Sequence, residues 1–112
     1  MNNTKFAQVV DMQINYCMDL LSVKNSEYTP GADAKTDRLA HFKKAAALSN
    51  TDPKAALFGM FSKHIVSVAD MCNSNDTYTK ARWNEKISDS INYLLLLRAL
   101  VEEEEEAKHD KY

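Results

Sequence analysis

WNEKISDSINYLLLL, residues 83–97, decides the fold, because it lacks proline and glycine and repeats polar and apolar residues at helical intervals. On a helix Glu85 and Asp89 are one turn apart, so both carboxylates project from the same side. Like charges at this spacing repel by ~0.2 to 0.5 kcal/mol. A divalent metal, Lys63, or merely solvent and Lys86 would relieve that repulsion. The pattern predicts a polar site on a long helix and leaves its ligand open.

The composition of the whole chain agrees with a helical protein. Two glycines and two prolines occur in 112 residues, and hydrophobic residues make up 45%. This balance is typical of a globular domain and indicates neither disorder nor a membrane protein. We predict an all-α, four-helix bundle-like domain over residues 1–101, with a long C-terminal helix, and an acidic tail at residues 102–112.

The first half of the chain divides into two predicted helices and a loop. The first helix spans about residues 3–23, with a core side formed by Phe6, Val10, Ile14, Cys17, Met18 and Leu21. A polar loop over residues 24–33 follows, and its Pro30-Gly31 pair is typical of a turn. The second helix, residues 36–49, is capped by Thr36 and has a core side formed by Leu39, Phe42 and Ala46.

Two longer helices are predicted in the second half. Asp52 caps the third helix and Pro53 suits its first position. This helix reaches about residue 72, with a core side formed by Leu57, Phe58, Phe61, Ile65, Val68 and Cys72. The fourth helix is capped by a residue among Asp76, Thr77 and Thr79, and extends to about residue 105.

The end of the fourth helix predicts self-association. Leu94 to Leu97 point in every direction around the axis, so a lone four-helix monomer leaves some of them exposed. We expect a homo-oligomer, with Leu96 facing a partner subunit. The run Glu102 to Glu106 opposes the helix dipole and is expected to be a solvated, fraying end.

Cysteine usage and charge narrow the possible environments and partners. Cys17 and Cys72 lack metal-finger spacing and are expected to be buried free thiols, which fits a reducing cytoplasm. No signal peptide and no apolar run of about 20 residues is present, so a soluble cytoplasmic protein is expected. The body before Glu102 is only slightly basic, far too little for duplex nucleic acid.

Several side chains suit a small anionic ligand. Lys63, His64 and Ser67 offer an ammonium, an imidazole and a hydroxyl within one helical turn, which suits phosphate oxygens. Aromatic rings at Tyr28 and Tyr93 offer surfaces on which a base can stack. The predicted ligand-binding residues are Lys24, Asn25, Tyr28, Arg38, Lys63, His64, Ser67 and Tyr93; the predicted metal ligands are Glu85 and Asp89.

Four short motifs carry a family resemblance over about residues 14–101. They are Lys24-Asn25-x-x-Tyr28, Arg38-Leu39-x-His41-Phe42, Lys63-His64-x-x-Ser67 and Glu85-Lys86-x-x-Asp89-x-x-x-Tyr93. The pattern resembles small phage and prophage proteins of the nucleotide modification associated domain type, which are similar to the all-α NTP pyrophosphohydrolases. In those hydrolases, ExxE and ExxD pairs on adjacent helices hold magnesium against a triphosphate.

The departures from that family favour binding over hydrolysis. Glu85 and Asp89 resemble the second acidic pair with one extra intervening residue, whereas Lys63-His64 occurs where the first pair is expected. The resemblance therefore implies a phage-type protein in the host cytoplasm that binds, and in doing so sequesters, a phosphorylated nucleotide or nucleotide signal, with no cofactor required. One alternative is a Mg²⁺-dependent nucleoside triphosphate pyrophosphohydrolase. Another is an inhibitor of a host protein that acts by protein–protein binding, as in evasion of host defence.

Overall fold

The protein is all-helical, with four helices among the residues that the structure describes. The computed structural model describes residues 1–28, Gly31 and residues 33–109, apart from the side chains of Ser26 and Tyr28. Its helices are α1 (Asn3–Tyr28), α2 (Ala40–Ser49), α3 (Pro53–Asn73) and α4 (Lys80–His109). The last helix is the longest, as predicted. The chain divides into two compact units, Met1–Thr36 and Asp37–Tyr112.

The first unit consists of α1 and the turn that follows it. The Asn2 side chain begins α1 by accepting a hydrogen bond from the Lys5 backbone N–H at 2.8 Å. The helix runs five residues past its predicted end, because the sequence holds no helix breaker before Pro30. The predicted loop over residues 24–33 is therefore wrong for its first half. The predicted Pro30-Gly31 turn lies partly outside the described residues.

The predicted core side of α1 is largely wrong. Cys17 is buried, as expected. Four of the other residues of that side are exposed over more than a third of their surface: Phe6, Val10, Ile14 and Met18.

Thr36 does not cap α2. Its hydroxyl accepts a hydrogen bond from the Asp33 backbone N–H at 3.0 Å and donates one to Asp33 Oδ1 at 3.2 Å. These bonds close a local turn, which competes with the predicted cap. In the second unit Asp37 accepts the Leu39 backbone N–H at 3.0 Å, and α2 begins at Ala40.

The starts of α3 and α4 confirm the predicted caps. The Asp52 side chain accepts a hydrogen bond from the Lys54 backbone N–H at 2.8 Å, and Pro53 occupies the first helical position. Thr79 accepts a hydrogen bond from the Arg82 backbone N–H at 3.2 Å. Both side chains satisfy backbone donors that the first turn of a helix leaves unpaired.

The core of the second unit lies among α2, α3 and α4. Its buried residues are Leu39, Phe42, Leu57, Phe61 and Leu100, with Met60, Tyr93, Leu96 and Leu97 packed against them. Leu96 is half-buried and packs against the core, so the expectation that it points outward is wrong, whereas the expected homo-oligomer stays a prediction. The exposed members of the leucine run are Leu94 and Leu95, at 53% and 48%.

The predicted apolar side of α3 is wider than the side that its neighbours cover. Leu57 and Phe61 are buried, whereas Phe58 and Ile65 are 57% and 42% exposed. Cys72 is an exposed free thiol, so the prediction that it is buried is wrong. Part of the apolar side of α3 is therefore exposed.

The acidic run is a structural part of α4, which stays helical through His109. Glu103 Oε1 is 2.6 Å from Lys43 Nζ of α2, and Glu104 Oε2 is 2.6 Å from Lys54 Nζ of α3. The expectation of a fraying end is wrong, because cations on two neighbouring helices offset the unfavourable position of these acids. The last three residues, 110–112, lie outside the described residues.

Candidate functional site

The structure distributes the predicted site residues over both units. Lys24 and Asn25 lie in the last turns of α1, where Lys24 Nζ is 3.7 Å from Glu27 Oε2. Tyr28 ends α1, and its side chain lies outside the described part of the chain. Arg38 is half-buried and lies two residues before the first residue of α2. The other predicted residues lie on α3 and α4 of the second unit.

His64, Asp89 and Tyr93 come together between α3 and α4. His64 Nδ1 is 3.8 Å from Asp89 Oδ2, longer than a direct hydrogen bond. The imidazole centroid lies 5.0 Å from the Tyr93 ring, and Tyr93 stacks on Phe61 at 5.5 Å. The His64 and Asp89 side chains keep 25% and 19% of their surface exposed. In this cluster the His64 imidazole lies beside the Asp89 carboxylate, and the Tyr93 ring connects the imidazole to the core.

The predicted metal ligands do not form a closed metal site. Glu85 is exposed one turn before Asp89. Within the described part of the chain, no three His, Cys, Asp or Glu side chains group closely enough to hold a metal. Magnesium often uses only one or two protein carboxylates and completes its shell with water and substrate phosphates. A role for this pair in magnesium binding therefore stays a prediction that requires a phosphate ligand.

Lys63 lies on a different side of α3 from His64. Consecutive helical residues are separated by about 100° around the axis, so neighbours in sequence face different surroundings. His64 faces α4, whereas Lys63 lines a groove between α2 and α3. Ser67, half-buried, is one turn further along α3. The predicted phosphate-binding group of Lys63, His64 and Ser67 is thus divided between two sides of the helix.

The groove between α2 and α3 is open to solvent and lies at the small end of the volume range of ligand sites. Its volume is about 340 Å³, at the lower end of the roughly 300 to 1,000 Å³ of ligand pockets. Ser49 and Thr51 supply hydroxyls at one end, and Lys63 supplies an ammonium at the other. From Ala55 to Lys63 the groove follows α3 for about 12 Å. Its lining residues are Ala45, Ser49, Thr51, Ala55, Ala56, Gly59, Met60 and Lys63.

Gly59 keeps the middle of the groove open. A Cβ atom at this position would meet nothing within 4 Å, and its φ is not in the left-handed region. Neither packing nor backbone conformation therefore requires glycine, although glycine in a helix costs about 1 kcal/mol relative to alanine. Our sequence reasoning missed this residue; the available signal was an isolated glycine inside a helical pattern.

Ion pairs link the ends of α2, α3 and α4 and shift several pKa values. A hydrogen bond from Lys54, reinforced by its charge, lowers the pKa of Glu104, and the same contact raises the pKa of Lys54. A hydrogen bond from Lys43 and one from the Leu39 backbone lower the pKa of Asp37. Hydrogen bonds to Asp37 and Glu103 raise the pKa of Lys43.

These shifts predict a loss of stability in acid. The lowered carboxyl pKa values stabilise the folded state above the ordinary values of 4.5 for Glu104 and 3.8 for Asp37. That contribution disappears as the pH falls through the lower, folded-state values. The raised lysine pKa values give a contribution that is present below 10.5 and lost only at more alkaline pH. We expect the melting temperature to fall as the pH drops below 4.5, with a smaller fall above pH 10.5.

Variants that remove the shifted carboxyl groups separate the effect of these ion pairs on the melting temperature from the general effect of acid on the folded state. Asp37→Asn combined with Glu104→Gln should flatten the acid limb of a melting-temperature profile, whereas Glu106→Gln, at an exposed acid of the same run as Glu104, should leave its slope unchanged. Equal slopes in the wild type and the double variant would contradict the assignment.

Comparison with known proteins gives no match among protein-family models, curated proteins or solved structures. Over the described residues, each helix is too short or too polar to span a bilayer.

Proposed function

We propose that this protein binds a small phosphorylated nucleotide in the groove between α2 and α3. The observation that carries the proposal is the arrangement of the lining: an ammonium at one end, hydroxyls at the other, and small or apolar side chains between them. A nucleotide runs from a charged phosphate through a sugar to a flat base, so its phosphate would meet the ammonium and the edge of its base would meet the hydroxyls at the other end. The groove's length of about 12 Å suits a ligand of this size.

Lys63 is the group proposed to contact the phosphate. Its side chain is exposed in the groove, and an ammonium offers three donors to phosphate oxygens. Ser49 and Thr51 are also exposed, and each hydroxyl can donate and accept. They suit the edge of a base, while Ala56 and Met60 offer an apolar floor between the two ends of the groove.

The family resemblance supports the ligand class and the biological context of this proposal. A phage-type protein that holds a nucleotide without hydrolysing it would sequester a host nucleotide or nucleotide signal in the host cytoplasm. Because Lys63 and His64 stand where hydrolases carry an acidic pair, direct contact with phosphate is favoured over contact through magnesium.

The test is a thermal-shift screen with adenosine and guanosine mono-, di- and triphosphates, cyclic nucleotides and ADP-ribose. A ligand at 100 times its dissociation constant stabilises the folded state by about 2.7 kcal/mol. In a domain of this size that corresponds to a rise of several degrees in melting temperature. If no ligand in the panel raises the melting temperature at millimolar concentration, the proposal fails.

Lys63→Gln should weaken binding of any ligand that the screen identifies. A hydrogen bond to a charged group contributes about 1.5 to 3 kcal/mol, which corresponds to roughly a 10- to 150-fold loss of affinity. Lys44→Gln is the matched control, because Lys44 is exposed on α2 and does not line the groove. Calorimetric titration should show the loss in Lys63→Gln alone; equal affinities in the two variants would remove Lys63 from the site.

The pyrophosphohydrolase alternative rests on Asp89, the half-buried carboxylate one turn from Glu85. It predicts release of pyrophosphate from a nucleoside triphosphate with magnesium, abolished by Asp89→Asn. Host-protein inhibition is a further alternative. Glu103 and Glu104 already pair with lysines of the same chain, so a host-binding role for the acidic run has to compete with these contacts.

A further inference from the structure

A stripe of uncharged residues follows the uncovered side of α3. Its members are spaced alternately by four and three residues, the heptad spacing of packed helices. Phe58 and Ile65 are 57% and 42% exposed, and two smaller members are exposed as well. The stripe consists of Phe58, Ser62, Ile65, Ala69 and Cys72. We call it the α3 stripe.

A second stripe with the same spacing follows α4. Ile87 and Leu94 are 38% and 53% exposed, and the other members are half-buried. None of its positions carries a charge. The stripe consists of Ile87, Ser90, Leu94, Leu97 and Val101. We call it the α4 stripe.

The two stripes lie on the same side of the α3–α4 pair. These helices are antiparallel, because Lys54 pairs with Glu104 while His64, further along α3, meets Asp89, earlier on α4. Helical positions at about 100° per residue place both stripes to one side of these contacts. The groove residues that face α2 lie on the other side of α3.

The serines of the stripes do not oppose burial. Ser62 Oγ donates a hydrogen bond to the Gly59 carbonyl, and Ser90 Oγ donates one to the Lys86 carbonyl, both at 2.8 Å. Each hydroxyl hydrogen is therefore already satisfied within its own helix. Covering these residues with apolar side chains leaves no unpaired donor, which is the usual penalty for burying a hydroxyl.

We propose that the α3 and α4 stripes form an interface with a second copy of this chain. Two antiparallel helices with heptad stripes on one side are half of a four-helix bundle, and a two-fold axis brings the same face of another copy against them. The members of the two stripes carry no charge, so the same stripes of a second copy meet them without like-charge repulsion between stripe residues. This interface stands on the geometry of the second unit alone and is independent of the proposed nucleotide.

The size of the face sets the strength of the dimer. The α3 stripe is about 21 Å long, and two helices side by side are about 20 Å wide, giving roughly 400 Å² in projection per copy. Because projecting side chains make the accessible surface larger than its projection, the total surface buried by both copies is about 1,200 Å², at the low end of specific interfaces. The dimer should therefore dissociate measurably on dilution.

The test is sedimentation equilibrium of the full chain over micromolar to submillimolar concentrations, with a reductant because Cys72 is exposed. Ile65→Glu and Leu94→Glu each place a carboxylate in the interface and should raise the dimer dissociation constant by about a hundred-fold or more. Val66→Glu and Leu95→Glu are matched controls. These residues are 58% and 48% exposed, adjacent in sequence, and lie off the stripes.

All four variants alter exposed side chains, so each should remain folded by circular dichroism. A dimer lost in Ile65→Glu and Leu94→Glu and kept in both controls supports the proposal. A wild-type protein that stays monomeric across the whole range, up to submillimolar concentration, overturns it. Equal loss in tests and controls, or a dimer that survives in all four, also overturns it.

Discussion

Leu57→Ala lowers the free energy of unfolding by about 3 to 5 kcal/mol. Leu57 has no exposed surface and lies in the cluster that joins α2, α3 and α4. Its truncation removes buried methyl groups and leaves a cavity among aromatic neighbours that relax only partly. Because whole domains are stable by only about 5 to 15 kcal/mol, this one change consumes a large share of the total.

Urea denaturation monitored by circular dichroism measures this effect. Leu48→Ala is the control, since Leu48 lies on α2 with 91% of its surface exposed and should change stability by less than about 0.5 kcal/mol. If the two variants unfold at the same urea concentration, the core does not lie where the structure places it.

If the α2–α3 groove binds a nucleotide as proposed, Gly59→Leu should abolish that binding while the protein becomes no less stable. The leucine side chain extends into the groove from a position where a Cβ atom meets nothing within 4 Å, so it fills the site without a clash. Leucine is also a better helix former than glycine by about 0.8 kcal/mol. A variant that is folded, at least as stable and unable to bind separates ligand exclusion from unfolding.

Gly59→Ala provides the control for the helix effect. It gains about 1 kcal/mol of helix propensity but adds only a methyl group, so it should melt at a higher temperature and retain affinity. Loss of binding in both variants with a lowered melting temperature would indicate a packing role for Gly59 instead.

The sequence predicts the helices well because few residues interrupt them, and it predicts the caps only where no other partner competes. Asp52 and Thr79 have free backbone donors in front of them, and both cap as expected. Thr36 has Asp33 three residues earlier and closes a turn with it instead. Such local competition depends on backbone conformation, which periodicity does not specify.

Periodicity also fails to say how much of an apolar arc is covered. The predicted core side of α3 includes both Leu57 and Phe58, yet only Leu57 is buried. Some helices have an apolar side too wide for a single neighbouring helix to cover. The sequence of such a helix is the same whether the remaining part packs on another helix of the chain or on another molecule. Which apolar residues of a helix are buried therefore follows only from the three-dimensional arrangement of its neighbours.

The candidate site was predicted in part. Lys63 was identified from its charge, and the structure places it in a groove. The other lining residues, Gly59 among them, are small and carry no chemical signature in sequence. His64 was grouped with Lys63 because the two are adjacent, whereas their directions around α3 differ and His64 meets Asp89. The two side chains belong to different sites because they point in different directions from α3, although they are adjacent in sequence.

The most direct test of nucleotide binding in the α2–α3 groove is calorimetric titration of the nucleotide panel into the wild type and Gly59→Leu. We predict that at least one phosphorylated nucleotide binds the wild type with one site per chain and that the same nucleotide gives no binding heat with Gly59→Leu. Undiminished binding to Gly59→Leu, or no binding to the wild type by any member of the panel, would contradict it.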